Sequence, residues 1–126
     1  MAPIPTHAVV WAEIPVTDMQ RGMRFYQTLT GQDLMLDETG PSPIMMFAIS
    51  DMKTGVSGHL YPGKPARPGE GPTVHLVMPD KVEAAIERCT AAGGKVVSPV
   101  VDIPPGRFAY ATDPDGNSIG LFEPRG

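Results

Sequence analysis

A handful of side chains in this sequence are of types that do chemistry on small molecules, and each has a plainer alternative role. Glu13 stands in "VVWAEIPV", an otherwise apolar run, two residues after the single tryptophan, Trp11. In an extended strand, residues i and i+2 share a face, so Glu13 and Trp11 point the same way. A carboxylate facing a partly apolar cleft has a raised pKa and can serve as a general base. The alternative is a salt bridge or an exposed strand position. Arg107 follows "PPG", a turn that can aim its planar fork of donors at an anionic ligand; otherwise it is a solvated arginine at a loop end. Tyr110, on the same predicted strand, suits core or cleft equally. The histidines are His7, in a proline-flanked arm, and His59 and His75, on different predicted strands. A divalent ion needs three or four N, O or S donors converging at about 2.0–2.3 Å. Surface or hydrogen-bonded histidines are the commoner outcome, so no resident metal is expected.

Other patterns are structural. In "DPDGN", Pro114 presets a turn, Asp113 and Asp115 can bond nearby amides, and Gly116 supplies a positive φ. The segment lacks the remaining ligands of a calcium loop. There is no P-loop, no glycine-rich dinucleotide motif and no G-x-S-x-G. Cys89 falls on the apolar face of a predicted helix, where a thiol is buried and inert. As the only cysteine it forms no intrachain disulfide, which fits a cytoplasmic setting. A net charge of −4 without a basic stripe argues against nucleic-acid and anionic-membrane partners. No run approaches the roughly 20 apolar residues of a membrane span, and the N-terminus has no basic targeting region.

The elements that must position these residues come in two similar halves. Met19, Met23 and Tyr26 in "VTDMQRGMRFYQTLTG" correspond to Val82, Ile86 and Cys89 in "PDKVEAAIERCTAAGG" at a constant offset of 63. Both triplets have the i, i+4, i+7 spacing of one helical face. The spacing predicts helices near 18–30 and 80–92, with Asp18 and Asp80 as N-caps and Gly31 and Gly94 as left-handed C-terminal residues. Asp51, Gly58 and Pro62 correspond to Asp113, Gly120 and Pro124 at an offset of 62. Runs rich in β-branched and aromatic residues predict strands at 9–16, 44–50, 55–61, 73–78, 95–103, 108–112 and 117–123. A further strand between Asp33 and Glu38 is weakened by three acids. The Pro- and Gly-rich segment 62–72 reads as a linker. The expectation is a single α+β domain of two β-α-β-β-β modules, about 7–62 and 72–124.

The repeated β-α-β-β-β order, "VTDMQRGMRFYQTLTG" early and "AAGGKVV…DPDGNSIGLFE" late, resembles the vicinal oxygen chelate superfamily, which includes glyoxalase I, extradiol dioxygenases and the fosfomycin- and bleomycin-resistance proteins. Within it, the pairing of "WAEIPVTD" with "GLFE" is most similar to bacterial glyoxalase-related proteins. The resemblance implies two curved mixed sheets around a cleft for a small organic molecule. In metal-dependent members four ligands come from the first and last strand of each half. Carried onto this chain, they fall at Trp11, at Gly58 with His59 nearest under a slipped register, at Val74 or Thr73 with His75 next door, and at Gly120. No ligand occupies the direct register, and Gly120 matches Gly58, so the missing acid is symmetrical.

The implied site is therefore metal-free and cofactor-free. Glu13 is the catalytic candidate, and Trp11, Arg107, Tyr110, Gly120 and His59 are candidate ligand contacts. The ligand carries a carboxylate or carbonyl if Arg107 reaches inward. The resemblance also leaves open a metal-dependent lyase, isomerase or dioxygenase with displaced ligands, a non-catalytic sequestering protein, and a homodimer.

Overall fold

A computed structural model describes residues 2–125. The first module comprises β1 (Trp11–Val16), α1 (Met19–Thr30), β2 (Leu34–Asp37), β3 (Ile44–Phe47) and β4 (Ser57–Pro62). The second comprises β5 (Val74–Val77), α2 (Val82–Ala91), β6 (Lys95–Val96), β7 (Val101–Ile103), β8 (Gly106–Thr112) and β9 (Ser118–Pro124). Each module folds its strands into one mixed sheet. The orders are β1-β4-β3-β2 and β5-β9-β8-β6, with β7 also on β8. In both, the first and last strands run parallel and the other pairs run antiparallel. This is the α+β architecture that the two repeated helices require, because an amphipathic helix needs a sheet face on which to bury its stripe. No helix among the described residues is long and apolar enough to cross a membrane.

Local chemistry explains where the elements begin and end. Asp18 caps α1 as expected, its Oδ1 accepting from Arg21 N at 3.1 Å. Gly31 ends the helix at φ +73°, a left-handed conformation that costs glycine little. The second helix departs from the expected caps. Asp80 turns away to take both terminal nitrogens of Arg88, at 2.7 and 2.9 Å. The N-terminal amide of Val82 instead donates to Glu123 Oε1 on β9, at 2.9 Å. Past the C-terminus, Gly93 rather than Gly94 takes the positive φ. The predicted strand 95–103 is broken into β6 and β7, because Pro99 has no amide to give to a ladder. Across this break the Ser98 hydroxyl accepts the Tyr110 amide at 2.8 Å. The strand in the acidic run does form, as edge strand β2, with only Asp37 of the three acids inside it.

One core joins the modules. Ile14, Val16 and Leu60 of the first sheet and Ala109, Ile119 and Leu121 of the second pack with Phe25, Tyr26 and Leu29 of α1 and Val82, Ala85 and Cys89 of α2. Fully burying a side chain of the Leu or Phe kind stabilises by about 1.5–3 kcal/mol.

A polar knot crosses the same junction. Asp113, 3% exposed, accepts from the Tyr26 hydroxyl at 2.7 Å. It also accepts from the amides of Asp115 and Asn117 and from Asn117 Nδ2. Asn117 Nδ2 also donates to Pro15 O at 2.8 Å, and Asp115 holds Thr17 and Arg21. "DPDGN" is thus both the turn into β9 and the clasp onto the end of β1. A buried carboxylate is tolerated here because four donors surround it.

Candidate ligand-binding groove

Strand alternation divides each sheet into a helix-packed face and an open face. In the first sheet Ile14, Val16 and Leu60 meet the helices, so Trp11, Glu13 and His59 point to the open side. In the second, Ala109, Ala111, Ile119 and Leu121 meet them, so His75, Phe108, Tyr110, Gly120 and Phe122 share the open side.

The ladder register corrects the sequence alignment of the halves. Ile14 lies opposite Leu60 in the first sheet, and Leu76 lies opposite Leu121 in the second. Leu60 therefore corresponds to Leu121, an offset of 61, and the open-face counterpart of Gly120 is His59. Gly58 belongs to the helix side, opposite Ala12. The absence of an acid is not symmetrical. One module places Glu13 opposite His59, and the other places His75 opposite Gly120. A one-residue slip exchanges the two faces of a strand, and an insertion in the β3–β4 connection is enough to hide it from a constant-offset comparison.

In the first module the open-face residues form a row, with a hydrogen bond from Trp11 to His59 and a polar contact from His59 to Glu13. Trp11 Nε1–H donates to His59 Nδ1 at 2.8 Å. Because indole can only donate, Nδ1 is an acceptor, and the neutral ring carries its proton on Nε2. Nε2 faces Glu13 Oε1 at 3.2 Å. The Glu13 side chain is 67% exposed, so the apolar surround expected from the sequence is absent on this chain. In the second module the His75 ring lies over Gly120, in the space a side chain there would need, and packs against Phe108 and Tyr110 at centroid distances of 5.1 and 5.8 Å. Partial burial among these rings pulls the His75 pKa below its ordinary value.

The edge strands β1 and β5, one from each sheet, border a groove of ≈ 860 Å³. Trp11 and Glu13 line one bank and His75 and Leu76 the other, with Leu34 and Phe47 at one end. A second cavity, beside Pro72 and Asn117, holds only ≈ 140 Å³, below the size of ordinary small-molecule sites.

Trp11 and Glu13 thus share a groove, and His59 is hydrogen-bonded to the first and in contact with the second. Gly120 contributes indirectly, as the floor under His75, and Tyr110 lies on the same open face as His75. Arg107 is elsewhere. It alternates with Phe108 and Tyr110, so it faces α2, where Nη2 pairs with Glu83 Oε2 and Nη1 reaches Glu123 Oε1 at 3.1 Å. It therefore braces the start of α2, and the premise for an anion-seeking arginine is gone. His7 is not one of the groove's lining residues and is bonded to Thr54 O at 2.9 Å. His75, not singled out for binding from sequence, is the main addition. Its signal was its place on the first strand of the second half, 62 residues after Glu13 on the first strand of the first half.

The family metal can be tested against these donors. Glu13, His59 and His75 are of ligating type and stand at corresponding places in the two modules. Among the described residues, however, no three His, Cys, Asp or Glu side chains converge on one point. In a single chain only the Glu13–His59 pair comes together, two donors short of a tetrahedral site.

Comparisons with known proteins agree with this architecture. A family model described as Glyoxalase/Bleomycin resistance protein/Dioxygenase superfamily matches residues 7–121. The glyoxylase-named protein CFP32 of Mycobacterium tuberculosis is 26% identical over 116 residues, covering 90% of this chain and 44% of its own. The chain therefore spans less than half the length of that relative. Among solved structures, a glyoxalase/bleomycin resistance protein from Albidiferax ferrireducens superposes with a TM-score of 0.74 at 19% identity, covering 94% of this chain and all of its own. TnmS3, an antibiotic binding protein from Streptomyces sp. CB03234, gives 0.66 at 29% identity over 97% of this chain and all of its own. A glyoxalase/bleomycin resistance protein from the same Streptomyces gives 0.64 at 30% identity, covering 90% and 97%. With its paired modules and a match over nearly its whole length, the chain belongs to the glyoxalase/bleomycin resistance protein/dioxygenase superfamily.

Proposed function

We propose that this chain binds a small organic molecule in the groove between β1 and β5, without a resident divalent metal. The groove carries the proposal. Its ≈ 860 Å³ lies in the range of small-molecule sites, and its apolar and aromatic walls with few polar groups are their usual composition. The likeness to an antibiotic-binding protein supports the same reading. If the ligand is turned over, Glu13 is the group placed to take a proton, with His59 behind it.

The test is a thermal-shift screen of small aromatic compounds and metabolites, followed by titration of Trp11 fluorescence. Saturable stabilisation with a change in emission is expected, lost in Val56→Trp, which fills the groove from an exposed wall position. Absence of any saturable ligand would overturn the proposal.

One observation favours a second reading. The structural register puts Glu13, His59 and His75 at corresponding open-face positions of the two modules, and their donors suit zinc or nickel. A metal-dependent reaction would then require His75, from a second copy or a rearranged chain, to join the Glu13–His59 pair. Stoichiometric metal surviving dialysis, and lost in His75→Ala, would establish that reading in place of the first.

A further inference from the structure

The groove holds one carboxylate and no opposite charge. Among the described residues that line it, Glu13 alone bears a formal charge. Arg107, the arginine of β8, is turned to the other face of its sheet and held by Glu83 and Glu123. Glu13 has one polar neighbour, on one side of its carboxylate. His59 Nε2 holds its Oε1 at 3.2 Å, and His59 is itself fixed, because Trp11 Nε1–H occupies Nδ1 at 2.8 Å. The row runs from the indole N–H to the imidazole and on to one carboxylate oxygen, and among the described residues Oε2 has no hydrogen-bond partner.

The indole of Trp11 lines the same bank of the groove, from the same strand face. A fixed carboxylate next to an electron-rich ring attracts a cation in two ways, through its charge and through the ring quadrupole. It also disfavours an anion, which would bring a second negative charge beside the first.

We propose that Glu13, held by the Trp11–His59 hydrogen bond, selects the groove's ligand by charge. The ligand is an organic amine or other cationic, hydrogen-bond-donating molecule with an aromatic or aliphatic body, and carboxylates and phosphates are excluded. His59 is a positioning residue and acts through Glu13. This deepens the proposed function and rests on the groove being the binding site.

The test uses three probes that share one ring system: 1-naphthylmethylamine, neutral 1-methylnaphthalene and 1-naphthoate, each titrated against Trp11 fluorescence at neutral pH. The amine is expected to bind about tenfold or more tightly than the neutral probe, and the carboxylate more weakly than either. Glu13→Gln should bring the three affinities together, chiefly by weakening that of the amine. His59→Gln keeps an acceptor for Trp11 and a donor for Glu13, so it should keep the preference. His59→Leu should lose most of it with the neutral probe still bound.

If 1-methylnaphthalene binds but the amine and the carboxylate bind equally, the charge proposal is overturned and the binding site stands. A preference that survives Glu13→Gln overturns it in the same way. If no probe binds, the groove is not a site and both proposals fail.

Discussion

His75 occupies the place that a side chain at position 120 would fill. A Cβ built on Gly120 would lie 2.0 Å from His75 Nδ1, 2.4 Å from Cε1 and 2.7 Å from Cγ. Glycine is required there by the neighbouring strand's imidazole, not by backbone conformation, since Gly120 is not among the positive-φ glycines. The glycine at position 120 thus has a steric cause within its own sheet.

Gly120→Ala should therefore displace the whole His75 ring, because the nearest clashing atoms include Cγ and not only the far end of the side chain. Overpacking of this kind costs about 1–3 kcal/mol. Removing the ring as well, in Gly120→Ala/His75→Ala, should recover about 1 kcal/mol or more of coupling energy in a double-mutant cycle by urea denaturation. Strict additivity of the two substitutions would show that the ring does not depend on the glycine.

Tyr26→Phe tests the clasp between the modules. Burial first, and then the Asp113 carboxylate, push the Tyr26 pKa well above its ordinary value, so the phenol is a fixed donor. Its loss leaves Asp113 with one donor fewer in a dry setting. The expected cost is about 1.5–3 kcal/mol, the range for hydrogen bonds to charged groups, read as a lower denaturation midpoint with an unchanged slope. A change of slope would mean that the modules separate before they unfold.

Arg107→Gln separates a brace from a ligand contact. Arg107 pairs with Glu83 and Glu123 on the α2 side of β8. Its replacement should lower thermal stability modestly and leave the affinity of any groove ligand within about twofold, because exposed ion pairs contribute little. A large loss of affinity with stability intact would place the arginine in the site after all.

Cys89 should be nearly silent towards thiol reagents in the folded protein. Burial, with Asp113 adding to it, pushes the thiol up to about 11, so at pH 8 almost none is thiolate. Reaction with a disulfide reagent should be slower by about a hundredfold or more than in denaturant, since the thiolate is the nucleophile. Fast labelling of native protein would show that the core opens readily around α2.

The sequence alone was enough for the two modules, their helices and the Pro- and Gly-rich connection, because these follow from local rules. The period of Met19, Met23 and Tyr26, repeated at Val82, Ile86 and Cys89, states a helix face without reference to anything distant. Alternation in "VVWAEIPV" likewise placed Trp11 and Glu13 on one face. Cap assignments were less secure, since the amide of Val82 found its acceptor on Glu123, a contact between residues 41 positions apart.

Register and facing were decided only by the tertiary structure. Gly58 and Gly120 look equivalent in a linear comparison, yet the ladders align Gly120 with His59, because strand pairing is set by which residues the core buries. The same burial turned Arg107 towards Glu83 and set His75 over Gly120. Whether Glu13 and His59 touch depends on two strands lying parallel and side by side. A sequence names both residues, but the distance between them exists only once Leu60 is buried beneath α1.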